Sequence, residues 1–200
     1  MQKWQIDKQF DFCYGHRVHN QKLNTEFSLD GCLKCRHLHG HQGTIKVGLE
    51  SDTLNEGMVT DFKHLNWLKE VMDKWFDHKI IFDKRDPLLA HEVPELFNYG
   101  ITFEDCLVKP TEYDFWIPDI NVIDKISKME EYPLFDTDEF NAIIEKYEGI
   151  VFVDFVPTSE NLCKFIFDLV KVKMKDLDVK VSYVDYWETP KSHCRYDGSL

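Results

Sequence analysis

Residues 32–41 read CLKCRHLHGH, two cysteines and three histidines in ten positions. Side chains alternate along an extended segment, so His39 and His41 project to one face and Gly40 leaves the space between them clear. Two imidazoles placed this way can reach one ion. Zinc favours imidazole and thiolate ligands, and a catalytic zinc takes three protein ligands and keeps a fourth position open. The third ligand has to come from elsewhere, and His16 and His19 stand at the end of an aromatic-rich segment, FDFCYGHRVH. Cys32 and Cys35 offer competing chemistry, as thiolates of a structural zinc or as a redox pair. A structural CxxC ordinarily needs a second pair, and no second CxxC is present. As a redox pair, CLKC lacks the helix onset that activates such thiols.

The elements that must position these groups follow from periodicity. Over 3–14, Ile6, Phe10, Phe12 and Tyr14 fall at even positions, the period of a half-buried strand. QGTIKVGLE at 42–50 repeats the pattern with Ile45, Val47 and Leu49. The spacing of Phe62, Leu65, Leu68, Met72 and Trp75 predicts an amphipathic helix over about 61–76. A second helix is expected after Pro157, with Thr158 as N-cap, Glu160 near its positive end, and a stripe of Leu162, Phe165, Ile166, Leu169 and Val170. VKVSYVDYWE at about 179–188 reads as a last strand, with Val184, Tyr186 and Glu188 on one face. Between about 85 and 150 the pattern weakens around Pro87, Pro94, Pro110, Pro118 and Pro133, leaving one helix expected at 136–148 and a buried or edge strand at 149–156. Strands with one apolar face and two amphipathic helices predict an α+β fold, an antiparallel sheet with the helices packed on one side.

Composition bounds the function. Two hundred residues, 43% hydrophobic with fifteen Phe, suffice for one domain with its own core. A net charge of -12 argues against a nucleic-acid binder, which needs a basic surface to displace counterions. No apolar run approaches the roughly 20 residues that span a bilayer, and the N-terminal segment alternates rather than forming a signal-peptide core, so a cytoplasmic protein with reduced cysteines is expected.

Taken together, FDFCYGH at 10–16 and Cys35-x-x-x-His39-Gly40-His41 resemble the tunnelling-fold pterin enzymes, the 6-pyruvoyl-tetrahydropterin and 6-carboxy-tetrahydropterin synthase family. GMVTDF at 57–62, FDHK at 76–79, PTSEN at 157–161 and WETPKSHCRY at 187–196 match in the same order, while 85–150 reads as an insertion within a single domain. The resemblance implies that His16, His39 and His41 bind zinc, that Cys35 is the catalytic thiol, and that Asp77 and His78 form an acid–base pair. It implies Glu188 as the anchor of the pterin ring, with Thr158 and Ser159 near the same pocket, and leaves His19, His37 and Cys32 as loop residues. It further implies a homo-oligomer, a trimer or dimer of trimers closing into a barrel, with active sites at subunit interfaces. The implied substrate is 7,8-dihydroneopterin triphosphate, whose triphosphate Lys34, Arg36, Arg17, Lys79, Lys191 or Arg195 could meet.

Within the family, the short approach from Cys35 to His39 and the tail ETPKSHCRY resemble the carboxy-forming enzymes, which release acetaldehyde and feed 7-deazaguanine synthesis. Pyruvoyl formation is the alternative, and Cys35 disfavours a third branch that carries Glu there. A non-catalytic pterin binder would be expected to lack a base or an anchor, yet Cys35, His78 and Glu188 are in place.

Overall fold

The computed structural model describes residues 3–28, 31–97, 100–128 and 137–199. In chain order the strands are β1 (Trp4–His16), β2 (His39–Ser51), β3 (Lys79–Asp83), β4 (Leu107–Val108), β5 (Ile117–Pro118), β6 (Ile150–Val153), β7 (Lys180–Thr189) and β8 (Ser192–Tyr196). The helices are α1 (Asn66–Trp75), α2 (Leu89–Glu92), α3 (Ile120–Ser127), α4 (Thr137–Glu148) and α5 (Ser159–Lys173). The chain divides into two compact units. One comprises the segment ending at Gly15, His39–His78 and the segment from Pro157; the other comprises His16–Leu38 and Lys79–Val156.

In the first unit the strands run in the order β1-β2-β7-β8. The period of two is realised directly: Phe10, Phe12 and Tyr14 of β1 and Ile45, Val47 and Leu49 of β2 are all buried. β2 and β7 pair antiparallel with Ile45 opposite Tyr186 and Val47 opposite Val184, and β7 turns back into antiparallel β8. The β2–β7 register shifts between Gly48 and Leu49. Gly48 is there because a Cβ at that position would come within 2.3 Å of the Tyr183 ring.

Thr158 caps α5 by accepting from the Asn161 N–H. The helix buries Leu162, Cys163, Ile166, Phe167, Leu169 and Val170 and packs on β7 and β8. The expected helix over 61–76 divides into a 3-10 turn, Phe62–Leu65, capped by Asp61, and α1. Its buried stripe is Leu65, Leu68, Met72 and Phe76, so Phe76 packs inward where Trp75 was expected, and Phe62 stays exposed. Phe76 meets the ring of Phe165 on α5 at 5.8 Å.

The second unit gives order to the stretch that the sequence left weakly patterned. β3 and β6 pair in parallel, with Phe82 opposite Phe152. Between them the chain builds a core of its own from Phe82, Leu89, Val93, Leu96, Cys106, Ile123, Tyr147, Ile150 and Phe152. The fold class is therefore α+β, with the antiparallel expectation met in β2–β7–β8 and departed from in the parallel pair β3–β6. Of the helix expected at 136–148, Asp136 lies outside the described residues and the rest is α4. Among the described residues no helix is long and apolar enough to cross a membrane.

Candidate metal centre and active site

The first strand carries its alternation through to its last residue. His16 follows Phe10, Phe12 and Tyr14 onto the buried face and is 0% exposed. β2 opens on His39-Gly40-His41, whose two rings stand nearly perpendicular with centroids 4.8 Å apart. Gly40 allows this approach, since a Cβ would meet the Tyr14 carbonyl oxygen at 3.2 Å. One ring nitrogen from each of His16, His39 and His41 lies within 4.8 Å of the other two. Zinc–nitrogen bonds of about 2.0 Å put tetrahedral ligand atoms about 3.3 Å apart, so small side-chain adjustments would close the trio on one ion. Burial pushes His41 toward its neutral, ligand-competent form; the nearby Glu188 charge opposes this and His39 adds to it, leaving the His41 pKa lowered.

Glu188 comes from the end of β7, where the β7–β8 register shifts between Trp187 and Thr189, and its carboxylate stands 3.7 Å from His41 Nε2. Both residues open onto a cleft of about 510 Å³, within the size range of small-molecule sites, whose wall also includes Gln9, Gln42, Thr44 and Trp187. Thr158 and Ser159 sit at the N-terminus of α5; the Thr158 hydroxyl serves the helix cap, and neither residue lines this cleft.

Asp77 and His78 follow α1 directly. The Asp77 carboxylate is used at both oxygens: Oδ1 accepts from the Cys13 backbone N–H at 2.7 Å, and Oδ2 lies 2.9 Å from His78 Nδ1. Burial alone would raise the Asp77 pKa, but the Cys13 N–H and His78 outweigh it and hold the carboxyl below its ordinary value. The His78 N–H in turn donates to the Cys13 carbonyl at 2.6 Å. These bonds hold His78 at φ +57°, a backbone conformation that costs an L-residue about 1–3 kcal/mol.

Cys35 lies in the second unit, half-buried on a 3-10 turn, Lys34–Arg36. Its N–H donates to the Gln21 side chain at 3.1 Å and its carbonyl accepts from the Val18 N–H at 2.7 Å. His19, expected as a loop residue, bonds Asp83 at 3.1 Å. Four of the cations considered for triphosphate are engaged with the protein: Arg17 with Asp86, Arg195 with Asp185, Lys79 with the Glu148 carbonyl, and Arg36 with the Gln21 carbonyl.

Cys13 was not singled out by the sequence, although one signal was present. Cys13-Tyr14-Gly15-His16 has CxxH spacing, but on a strand positions i and i+3 face opposite sides. Cys13 therefore leaves the His16 face and joins Asp77 and His78.

Comparison with known proteins shows the family and the fold. The family model described as 6-pyruvoyl tetrahydropterin synthase matches residues 5–199. A 6-carboxy-5,6,7,8-tetrahydropterin synthase from Aquifex aeolicus is 32% identical over 205 residues, covering 97% of this chain and 98% of the relative. The crystal structure of an uncharacterized protein from Wolinella succinogenes has a TM-score of 0.86 at 43% identity, with both chains covered in full. The 6-pyruvoyl tetrahydropterin synthase of Caenorhabditis elegans shares the fold, with a TM-score of 0.52 at 21% identity, over 100% of this chain and 98% of that one. The fold is thus the α+β tunnelling fold. The chain belongs to the 6-pyruvoyl tetrahydropterin synthase family.

Proposed function

We propose that the protein is a zinc-dependent 6-carboxy-5,6,7,8-tetrahydropterin synthase. It would convert 7,8-dihydroneopterin triphosphate and water to the 6-carboxy product, acetaldehyde and triphosphate. The observation that carries this reading is the convergence of His16, His39 and His41, with Glu188 beside His41 in a cleft of small-molecule size. The donor set fits zinc, because three neutral imidazoles leave the ion its full charge and one open position. His16, His39 and His41 would hold it, and bound zinc supplies a Lewis acid that polarises a substrate oxygen.

The chain's own groups perform the remaining tasks. Glu188 accepts two hydrogen bonds from the amidine-like edge of the pterin, its N3–H and 2-amino group, a charge-assisted bidentate contact that fixes the ring. Thr158 and Ser159, at the N-terminus of α5, would act from outside the cleft that Glu188 lines, through the Ser159 hydroxyl rather than the capping Thr158 hydroxyl. Asp77 accepts the Nδ1 proton of His78, which leaves Nε2 to take a proton and return it. Cys35 is the thiol that exchanges a proton with the substrate side chain. The spacing from Cys35 to His39 and the named activity of the Aquifex relative support the carboxy-forming outcome over the pyruvoyl-forming one. The family model runs through both units, which supports one tunnelling-fold domain with an insertion at about 85–150, and we read the working form as a homo-oligomer, a trimer or dimer of trimers.

The test is mass spectrometry of the products formed from 7,8-dihydroneopterin triphosphate by the zinc-loaded protein. Equal amounts of 6-carboxytetrahydropterin and acetaldehyde are expected. A 6-pyruvoyl product without acetaldehyde would move the protein to the other branch, and pterin binding without turnover would make it a binder.

A further inference from the structure

We propose that Arg17 and His19, gripped by the buried carboxylates of Asp86 and Asp83, are positioning residues for Cys35, a role that rests on Cys35 being the reacting thiol of the function proposed above. The turn 83–86, at the entrance to the inserted stretch, is then the support on which the thiol-bearing segment is held. The chain leaves β1 at His16 and enters β2 at His39, and Cys35 lies on the irregular segment between them. No strand or long helix fixes a side chain there. A misplacement of about 1 Å can cost roughly 10²-fold in rate, so the thiol needs another anchor.

The anchor can be followed bond by bond within one compact unit. The Cys35 carbonyl accepts from the Val18 N–H at 2.7 Å, and the Cys35 N–H donates to the Gln21 side chain at 3.1 Å. Arg36 donates twice to the Gln21 carbonyl, from Nε at 3.1 Å and from Nη2 at 2.8 Å, and the Gln21 N–H donates to the Val18 carbonyl at 3.0 Å. Cys35 is therefore only as well placed as Val18 and Gln21. Two ion pairs bracket Val18. Arg17 Nε stands 2.9 Å from Asp86 Oδ2 and His19 Nε2 stands 3.1 Å from Asp83 Oδ2, with both carboxylates 1% exposed. An ionised carboxylate only accepts, which places the His19 proton on Nε2. Separating such a pair leaves a desolvated charge behind, so each one resists opening strongly. The carboxylates are fixed in turn. Asp83 ends β3 opposite Val153 of β6 and accepts from the Arg85 N–H at 3.0 Å, while Asp86 Oδ1 accepts from the Leu88 N–H at 2.8 Å. The Lys84 N–H donates to the Val153 carbonyl at 2.9 Å, and Arg85 donates to the Asp154 carbonyl at 2.7 Å. Leu89 follows directly and is buried in the core that this unit builds around Phe82 and Phe152.

The experiment follows Cys35 itself, by iodoacetamide alkylation of the zinc-loaded full-length protein without pterin, each cysteine being read by peptide mass spectrometry. Cys106, 0% exposed in the core of the same unit, reports any wider opening. His19→Ala should speed alkylation of Cys35 at least about tenfold while Cys106 stays at the parent rate. In turnover of 7,8-dihydroneopterin triphosphate, kcat should fall about 10–100-fold with KM unchanged. His19→Gln, whose side-chain amide reaches the place of Nε2, should restore both readouts. Asp86→Asn, which keeps an acceptor for the Leu88 N–H, should loosen Cys35 selectively through Arg17 if His19→Ala does not fold. Alkylation of Cys35 at the parent rate, or rising in step with Cys106, would overturn the proposal, as would an unchanged kcat in a variant whose Cys35 is selectively loosened. Labelling needs no pterin, so it judges the support whether or not the proposed activity is found; turnover surviving in Cys35→Ala would instead mark a failure of the role read for that thiol.

Discussion

Asp77→Asn separates what Asp77 does for the fold from what it does for His78. Asparagine has nearly the same shape, and its carbonyl can keep accepting the Cys13 N–H now held at 2.7 Å. The amide NH2 then replaces Oδ2, which lies 2.9 Å from His78 Nδ1. An acceptor becomes a donor, so the imidazole must turn Nδ1 into an acceptor and carry its proton on Nε2. A base protonated on its working nitrogen cannot take another proton. Positioned general acid–base catalysis contributes about 10²–10⁴ in rate, so kcat should fall by that factor, equivalent to about 3–5 kcal/mol on the barrier. Stability should change far less: losing one charged hydrogen bond partner costs about 1–2 kcal/mol, or about 2–8 °C in melting temperature for a chain of this length. Asp77→Ala strips the Cys13 N–H of its partner as well and should destabilise more. Steady-state turnover and thermal melts on the two variants check this. An Asp77→Asn enzyme within about tenfold of the parent kcat would refute the role given to the pair.

Other expectations rest on different parts of the molecule. Cys35→Ala should retain zinc and bind pterin but lose turnover, whereas His39→Ala should lose the metal; metal analysis and pterin fluorescence distinguish them, and a fully active Cys35→Ala would remove that thiol from the chemistry. Asp83 and Asp185 are buried, which opposes ionisation, but Arg85 with His19, and Arg195 with His193, hold their carboxyls below the ordinary value. Their contribution is complete above about pH 4 and is lost as pH falls through the lower folded values; urea unfolding between about pH 6 and pH 2 should show stability dropping only at the acid end. Gly48→Ala forces a Cβ against Tyr183 at 2.3 Å and should cost about 1–3 kcal/mol, read from chemical denaturation.

His39 and His41 were legible as a pair from the alternation, which left His16 and His19 both open as the third ligand until the family resemblance chose His16. A period of two along β1 and across His39-Gly40-His41 sets which way each imidazole points, and both strands keep that period. Glu188 came from the family resemblance, since β7 buries Tyr183 through Tyr186 in succession and shows no period of two there. Asp77 and His78 are adjacent and so visible as a pair, but their clasp on Cys13 joins residues 64 apart and leaves no periodic trace. β3 is five residues long, with buried Ile81, Phe82 and Asp83 in succession, so it shows no alternation. β8 is a polar strand, SHCRY, at the end of the strand order and has no buried face to announce it. The core between β3 and β6 draws on Leu89, Val93, Leu96 and Cys106, set on very short elements separated by prolines, where neither helical nor strand periods persist long enough to be recognised.

The central claim is an open metal held by three imidazoles, with the Cys35 thiol left free to move a proton. X-ray absorption at the zinc edge, on protein loaded with one equivalent, tests it most directly. The account predicts a first shell of three imidazole nitrogens and one exchangeable oxygen at about 2.0–2.1 Å, unchanged in Cys35→Ser and lost in His16→Ala. A zinc–sulfur distance of about 2.3 Å that disappears in Cys35→Ser would make Cys35 a ligand rather than the reacting thiol, and would contradict the account.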